Sequence, residues 1–283
     1  MKEEFIITPD AQGREAMDGL LAVTVGVGGF TLGRSILGRE ILAYTLGTGR
    51  RRLIYVGAHH ALEGLTCNLL YGFIYRICAC TDLPLLRHFR LTVVPCLNPD
   101  GIELRYHGID GNPLAARQGR MCGGDTSTWQ ANARGVDLNH NYSKGFYEYK
   151  ELERERGIEC GASLYSGEYP ESEPETCALA SYIRMCEPSL VISLHSQGEQ
   201  IYYYPKSKRG ERLVGIAERL SGYKRVLPTD TDGYGGLCDY TDSLGIPSLT
   251  LEVGKGKNPL PITDCREIFP RIFPILCRLP LML

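Results

Sequence analysis

LIYVGA at residues 53–58, HHALEG at 59–64 and NLLYGFIYRICA at 68–79 follow one another closely. They read as a buried strand, a turn and a helix. The pattern recurs along the chain. LTVVPCLN (residues 91–98) is a second strand, ending in the turn sequence Asn98-Pro99-Asp100-Gly101. LVISLHS (190–196) and IPSLTLEV (246–253) are two further strands. Ahead of LVISLHS, Ser172-Glu173-Pro174-Glu175 has the form of a capping box, with Ser172 as N-cap of a helix through ETCALASYIRM. Short apolar strands alternating with amphipathic helices define an α/β domain. No repeat, low-complexity tract or Pro/Ser-rich linker divides the 283 residues, so a single domain over 1–283 is expected.

The totals narrow the partners. Hydrophobic residues make up 43% and charged residues 23%, the balance of a soluble globular protein, and the net charge is −2. No run of Lys and Arg offers a surface to nucleic acid or anionic lipid, so neither a nucleic acid nor a membrane is expected as partner. No apolar run reaches the ~18 residues of a spanning helix. The N-terminal MKEEFIITPDAQGREAMDGL lacks the basic and apolar regions of a secretory leader. Eleven cysteines, an odd number without a CxxC pair, predict reduced and mostly structural thiols. A cytoplasmic location is the expectation.

In open α/β sheets, ligands gather outside the carboxyl ends of strands. His60, His195 and Glu252 all fall at or just past such ends. Of six histidines, His59 and His60 follow directly on LIYVGA, with Glu63 three residues after His60. A His-x-x-Glu pair at a strand-to-helix turn can set an imidazole nitrogen and a carboxylate on one small cation. A catalytic zinc takes three protein ligands and keeps a fourth position open. His195 is the natural distant third, while His59 is either a rival ligand or a supporting residue. His88 and His107 have no partner pattern. On its own, a His-x-x-Glu pair is weak evidence, and a lone strand histidine is more often a satisfied core residue.

The segments gain meaning from their order. GAHHALEG, VPCLNPDGIEL, WQANARGVDLNHNY, YSGEYPESEPET, ISLHSQGE and LTLEVG in succession resemble the zinc carboxypeptidase family. Within it the chain is most similar to the bacterial branch that cleaves γ-D-glutamyl–diaminopimelate bonds in peptidoglycan stem peptides. The resemblance runs over about residues 30–275 and includes SILGREI near the start. It implies a mixed, mainly parallel twisted sheet with helices on both faces. It also implies one zinc per chain held by His60, Glu63 and His195, with Glu252 as general base and a peptide or muropeptide as substrate.

The substrate-facing positions depart from the family. Asn139-His140 stands where an Asn-Arg pair grips the substrate's terminal carboxylate, and histidine offers one pH-dependent donor instead of a permanent fork. Aligning on Trp129 puts Gln130 where the oxyanion-stabilising arginine is expected. Arg134 is an alternative source of that charge or a brace for its loop, and Arg117 and Arg120 are further candidates. Tyr240 stands where a tryptophan is common. Asp239, Asp242 and Glu199 are placed to meet the amino group of diaminopimelate, or else to cap turns. Other activities fit less of the pattern: a zinc-dependent carboxypeptidase or N-acyl amino acid deacylase acting on other small substrates, and a catalytically silent muropeptide-binding protein.

Overall fold

Central strands in a sheet covered on both faces lose the alternation of polar and apolar residues, because neither side meets water. The computed structural model describes residues 8–22, 27–80, 84–204, 208–227 and 234–283. The first seven residues, part of the stretch read above for a leader, lie outside these. Eight strands run in chain order as β1 (Gly28–Arg34), β2 (Glu40–Leu46), β3 (Arg51–Val56), β4 (Phe89–Val94), β5 (Leu190–His195), β6 (Gln200–Tyr202), β7 (Lys224–Val226) and β8 (Ser248–Glu252). They form one sheet in the order β1-β2-β4-β3-β5-β8-β6-β7. β4, β3, β5 and β8 are parallel, and all six residues of β5 are buried. Antiparallel pairs attach β2 at one side and β6 at the other. The mixed, mainly parallel sheet expected above is what the chain adopts.

Side chains alternate between two cores. Leu53, Tyr55, Ile192, Leu194 and Leu251 pack with helices Gly64–Cys78, Lys208–Ser221 and Cys265–Arg278. Ile54, Val56 and Val191 face the other way, onto helices Pro174–Cys186 and Leu237–Ser243. Helices therefore cover both faces. All eleven cysteines are free thiols, with Cys67 and Cys265 fully buried among apolar side chains. No helix among the described residues is long and apolar enough to cross a membrane.

The capping box does not form. Helix Pro174–Cys186 has Glu173 as N-cap without a side-chain cap, and Pro174 at its start has no N–H that needs an acceptor. Glu175 turns away instead, accepting from the Ile36 amide (3.3 Å) and the Asn132 side chain (3.3 Å). Burial pushes its carboxyl up to about 8, with Glu173 and Asp100 adding to the rise. A carboxyl raised in the folded chain penalises folding progressively as pH climbs from its ordinary value, near 4.5, to about 8. The penalty is absent below that interval and complete above it. Glu175→Gln is therefore expected to flatten the loss of stability between pH 5 and 8, measured by urea denaturation. Parallel pH profiles for variant and parent would contradict this.

Candidate metal centre

Two residues beyond β3, Ala58 takes a left-handed backbone (φ 49°) and turns the chain across the end of the sheet. Thr66 fastens this turn, its hydroxyl accepting from the Ala58 amide (2.8 Å) and donating to the Glu63 carbonyl (2.8 Å). Asn98 fastens it from beyond β4. Its side-chain amide donates to the carbonyls of His59 (3.0 Å) and Ala131 (3.1 Å), and its Oδ1 accepts from the Gly101 amide (2.9 Å). The last bond caps helix Pro99–His107, so the segment read as a turn at Asn98–Gly101 is a helix start. A Cβ at Gly101 would lie 2.5 Å from the Ala131 carbonyl oxygen, which leaves room only for glycine. Asp100 carries the support outward. It accepts from Ser35, the Leu37 amide and Arg39, pinning SILGREI beside the turn.

This bracing brings His60 and Glu63 against His195, the last residue of β5. His60 Nδ1 stands 2.9 Å from Glu63 Oε1, His195 Nδ1 stands 3.1 Å from Glu63 Oε2, and the two Nδ1 atoms are 3.3 Å apart. All three side chains are buried, and their ligand atoms lie within 4.8 Å of one another. Nitrogen and oxygen donors about 2.0–2.1 Å from a tetrahedral zinc stand about 3.3 Å from each other, so the triangle fits such an ion.

Asp137 completes the arrangement. Its Oδ1 lies 3.1 Å from His60 Nε2, which assigns the ring proton to Nε2 and leaves the Nδ1 lone pair facing Glu63 and His195. Burial alone would raise the Asp137 carboxyl, but the adjoining His60 holds it well below the usual carboxylate range. His60 in turn is pulled above its ordinary value by Glu63 and Asp137, against the opposing effect of burial.

Parallel pairing of β5 with β8 sets Glu252 beside His195 in register. Burial pushes the Glu252 carboxyl up to about 7; His195 opposes the shift, Glu63 adds to it and His60 opposes it. A carboxylate poised there suits proton transfer at neutral pH. His59 does not join the cluster. Its Nε2 is 3.0 Å from the Tyr142 hydroxyl, and its ring stacks on that of His195 (centroids 5.0 Å apart). Burial keeps His59 well below the ordinary imidazole value, hence neutral.

The other sequence-derived residues divide. Gln130 donates to Asp137 Oδ2 (3.4 Å), beside the ligand cluster. Asn139 accepts from the Leu237 amide (3.2 Å). His140 donates from Nδ1 to the Tyr234 carbonyl (2.9 Å) and stacks on Tyr149, with ring centroids 3.9 Å apart. Arg134 faces Glu173 at 3.6 Å, the bracing alternative. Glu199 is engaged by Arg271 and by Lys255 (3.0 Å), so its carboxylate is already neutralised. Asp242 lines a separate cavity with Tyr204, Ile246 and Ser248, at the start of β8. Glu252 lies four residues further on, roughly 13 Å along the strand. Glu199 and Asp242 thus fall outside the cluster. Asp137 was not singled out from the sequence, although it stands inside GVDLNHN. Its short-range role, capping the turn Leu138–His140, is readable there; its bond to a histidine 77 positions earlier is not.

A buried His-Glu-His group at the carboxyl ends of neighbouring parallel strands, with a further carboxylate beside it, defines a metallohydrolase-type site on an α/β sheet. The model of the zinc carboxypeptidase family matches residues 27–232, and the chain belongs to that family. It is 29% identical over 259 residues to gamma-D-glutamyl-L-diamino acid endopeptidase 1 of Lysinibacillus sphaericus, covering 85% of this chain and 64% of that protein. It is 31% identical over 199 residues to murein peptide amidase A of Escherichia coli strain K12, covering 66% of each. The fold matches the crystal structure of thrombin activatable fibrinolysis inhibitor with a TM-score of 0.77 at 18% identity, over 99% of this chain and 75% of that one. The chain therefore spans somewhat under two thirds of the length of these curated relatives.

Removing the carboxylate behind a metal-ligating histidine commonly weakens metal binding by about 10–100-fold. Asp137→Asn is expected to lower zinc affinity by that factor in chelator competition. An unchanged affinity would mean that His60 does not depend on Asp137 for its orientation.

Proposed function

We propose that this chain is a zinc peptidase that hydrolyses peptidoglycan stem peptides at the γ-D-glutamyl–diaminopimelate bond. One zinc per chain is held by His60, Glu63 and His195, and Glu252 is the general base. The single observation that carries the reading is the convergence of the two Nδ1 atoms and the Glu63 carboxylate, with Glu252 on the next strand. A zinc ion held there supplies the electrophilic pull that acidifies a water and polarises a carbonyl. Glu252 accepts the proton of the attacking water and passes it to the leaving amine. The named activities of the Lysinibacillus and Escherichia relatives support the choice of substrate class.

Recognition of the leaving side falls to Asn139 and His140. The stacked, hydrogen-bonded His140 offers a single directed ring nitrogen rather than a two-pronged guanidinium, which suits a less stringent grip on a terminal carboxylate. Gln130 presents an amide beside Asp137 where an arginine is usual, and Arg134 is held off toward Glu173.

Incubating the protein with defined stem peptides, with and without a chelator, and weighing the products by mass spectrometry tests the reading. Release of diaminopimelate-containing products only in the presence of metal is the expected result. Products of another bond, or cleavage of N-acyl amino acids in preference, would redirect the assignment. Glu252→Gln is expected to lower kcat by about 10²–10⁴-fold while zinc content stays near one per chain. A variant that keeps its kcat would remove Glu252 from the chemistry.

A further inference from the structure

A cavity of about 270 Å³ opens directly beside the metal turn. Ala61 and Leu62, the two residues between His60 and Glu63, form part of its wall. Leu260 and Ile262 form another part, and Arg105 and Tyr106 from helix Pro99–His107 close a third side. The Leu260 wall is tied to the metal-bearing strand. Ser196, next after His195, donates to Asn258 Oδ1 (2.8 Å), and Asn258 donates back to the Ser196 carbonyl (2.6 Å).

Arg105 is the unusual member. Its Nε is buried without a hydrogen-bond partner, and no carboxylate lies at ion-pair distance from it among the described residues. Asp125 feels the Arg105 charge but accepts hydrogen bonds from Ser127 and makes no ion pair with it. Glu103 pairs with Arg14 at 3.2 Å, and Asp10 meets His107 at 3.0 Å. The half-buried Arg105 thus keeps a buried N–H without an acceptor, and the anion a guanidinium holds most strongly is a carboxylate that accepts two parallel hydrogen bonds. The cavity is otherwise largely apolar, which suits a short aliphatic residue next to that anion.

We propose that this cavity receives the acyl side of the substrate and that Arg105 binds a free carboxylate carried there. This rests on the stem-peptide reading, which gives it chemical content. A γ-linked glutamyl residue keeps its α-carboxylate free on the acyl side of the scissile bond, whereas an ordinary α-linked residue has none there. Asn139 and His140, which serve the leaving side, belong to other elements than the cavity. Arg105 is thus a specificity-determining residue for the γ-glutamyl linkage.

The test compares two stem peptides, one with the free α-carboxylate and one with an α-carboxamide, in the zinc-loaded full chain and in Arg105→Gln. The parent is expected to favour the carboxylate peptide in kcat/KM by about 10–100-fold, and the variant to bring that ratio toward one. A ratio retained by the variant, or an equal loss on both peptides, overturns the proposal. Arg105→Lys, which keeps the charge without the fork, is expected to give an intermediate ratio and decides the question where Arg105→Gln does not fold. If the parent cleaves neither peptide, the stem-peptide reading fails by itself. Calorimetric titration with L-alanyl-D-glutamate, compared with its α-carboxamide, then judges the cavity: binding of the free acid weakened tenfold or more by Arg105→Gln sustains it (about 1.4 kcal/mol), and equal or absent binding overturns it.

Discussion

Two imidazole nitrogens and a carboxylate meet in the interior of this protein at separations of 2.9–3.3 Å. Two lone pairs cannot face one another that closely in a buried place without a proton or a cation between them. The arrangement therefore demands positive charge at one point. The surrounding groups are set accordingly: the Glu63 carboxyl is held low by His60 and His195, in spite of its burial, while His59 is kept neutral. Asp137 fixes the His60 ring from behind, and the His59 ring, anchored by Tyr142, flanks His195. Thr66 and Asn98 hold the backbone turn on which two of the three donors ride.

The sheet delivers those donors because parallel register aligns strand ends. β3, β5 and β8 are successive neighbours, so the residues leaving them reach the same edge of the fold. Burial on both faces writes LIYVGA into the sequence as an unbroken apolar run, while LVISLHS and IPSLTLEV are short stretches of Leu, Ile and Val broken by Ser193, Ser248 and Thr250 before His195 and Glu252 are reached. His60, His195 and Glu252 stand out for a related reason, since each falls at or just past a strand end, and Glu63 stands out by its spacing of three from His60. Taken one at a time, each has an ordinary structural explanation. Their order among the neighbouring motifs carries the assignment.

What escaped sequence reading depends on contacts between distant segments. Glu175 looks like half of a capping box, yet its carboxyl serves the Ile36 amide and Asn132, and the helix start is left to Glu173 and Pro174. Glu199 and Asp242 are acidic residues close in sequence to functional segments. One is neutralised by Arg271 and Lys255, and the other lines a cavity at the far end of β8. Asp137 and Arg105 were not picked out because their significance lies in a partner, present or missing, that spacing does not reveal. The His-Glu-His cluster thus follows local rules, whereas the groups around it are set by tertiary contacts.

The central claim is that a single cation belongs at the meeting point of His60, Glu63 and His195. Crystals grown with zinc and measured on both sides of the zinc absorption edge test it most directly. The account predicts one anomalous peak per chain, about 2.0–2.2 Å from both Nδ1 atoms and from a Glu63 oxygen. It also predicts that this peak vanishes in His195→Ala. Zinc bound through other residues, or a peak that survives the loss of His195, would contradict it.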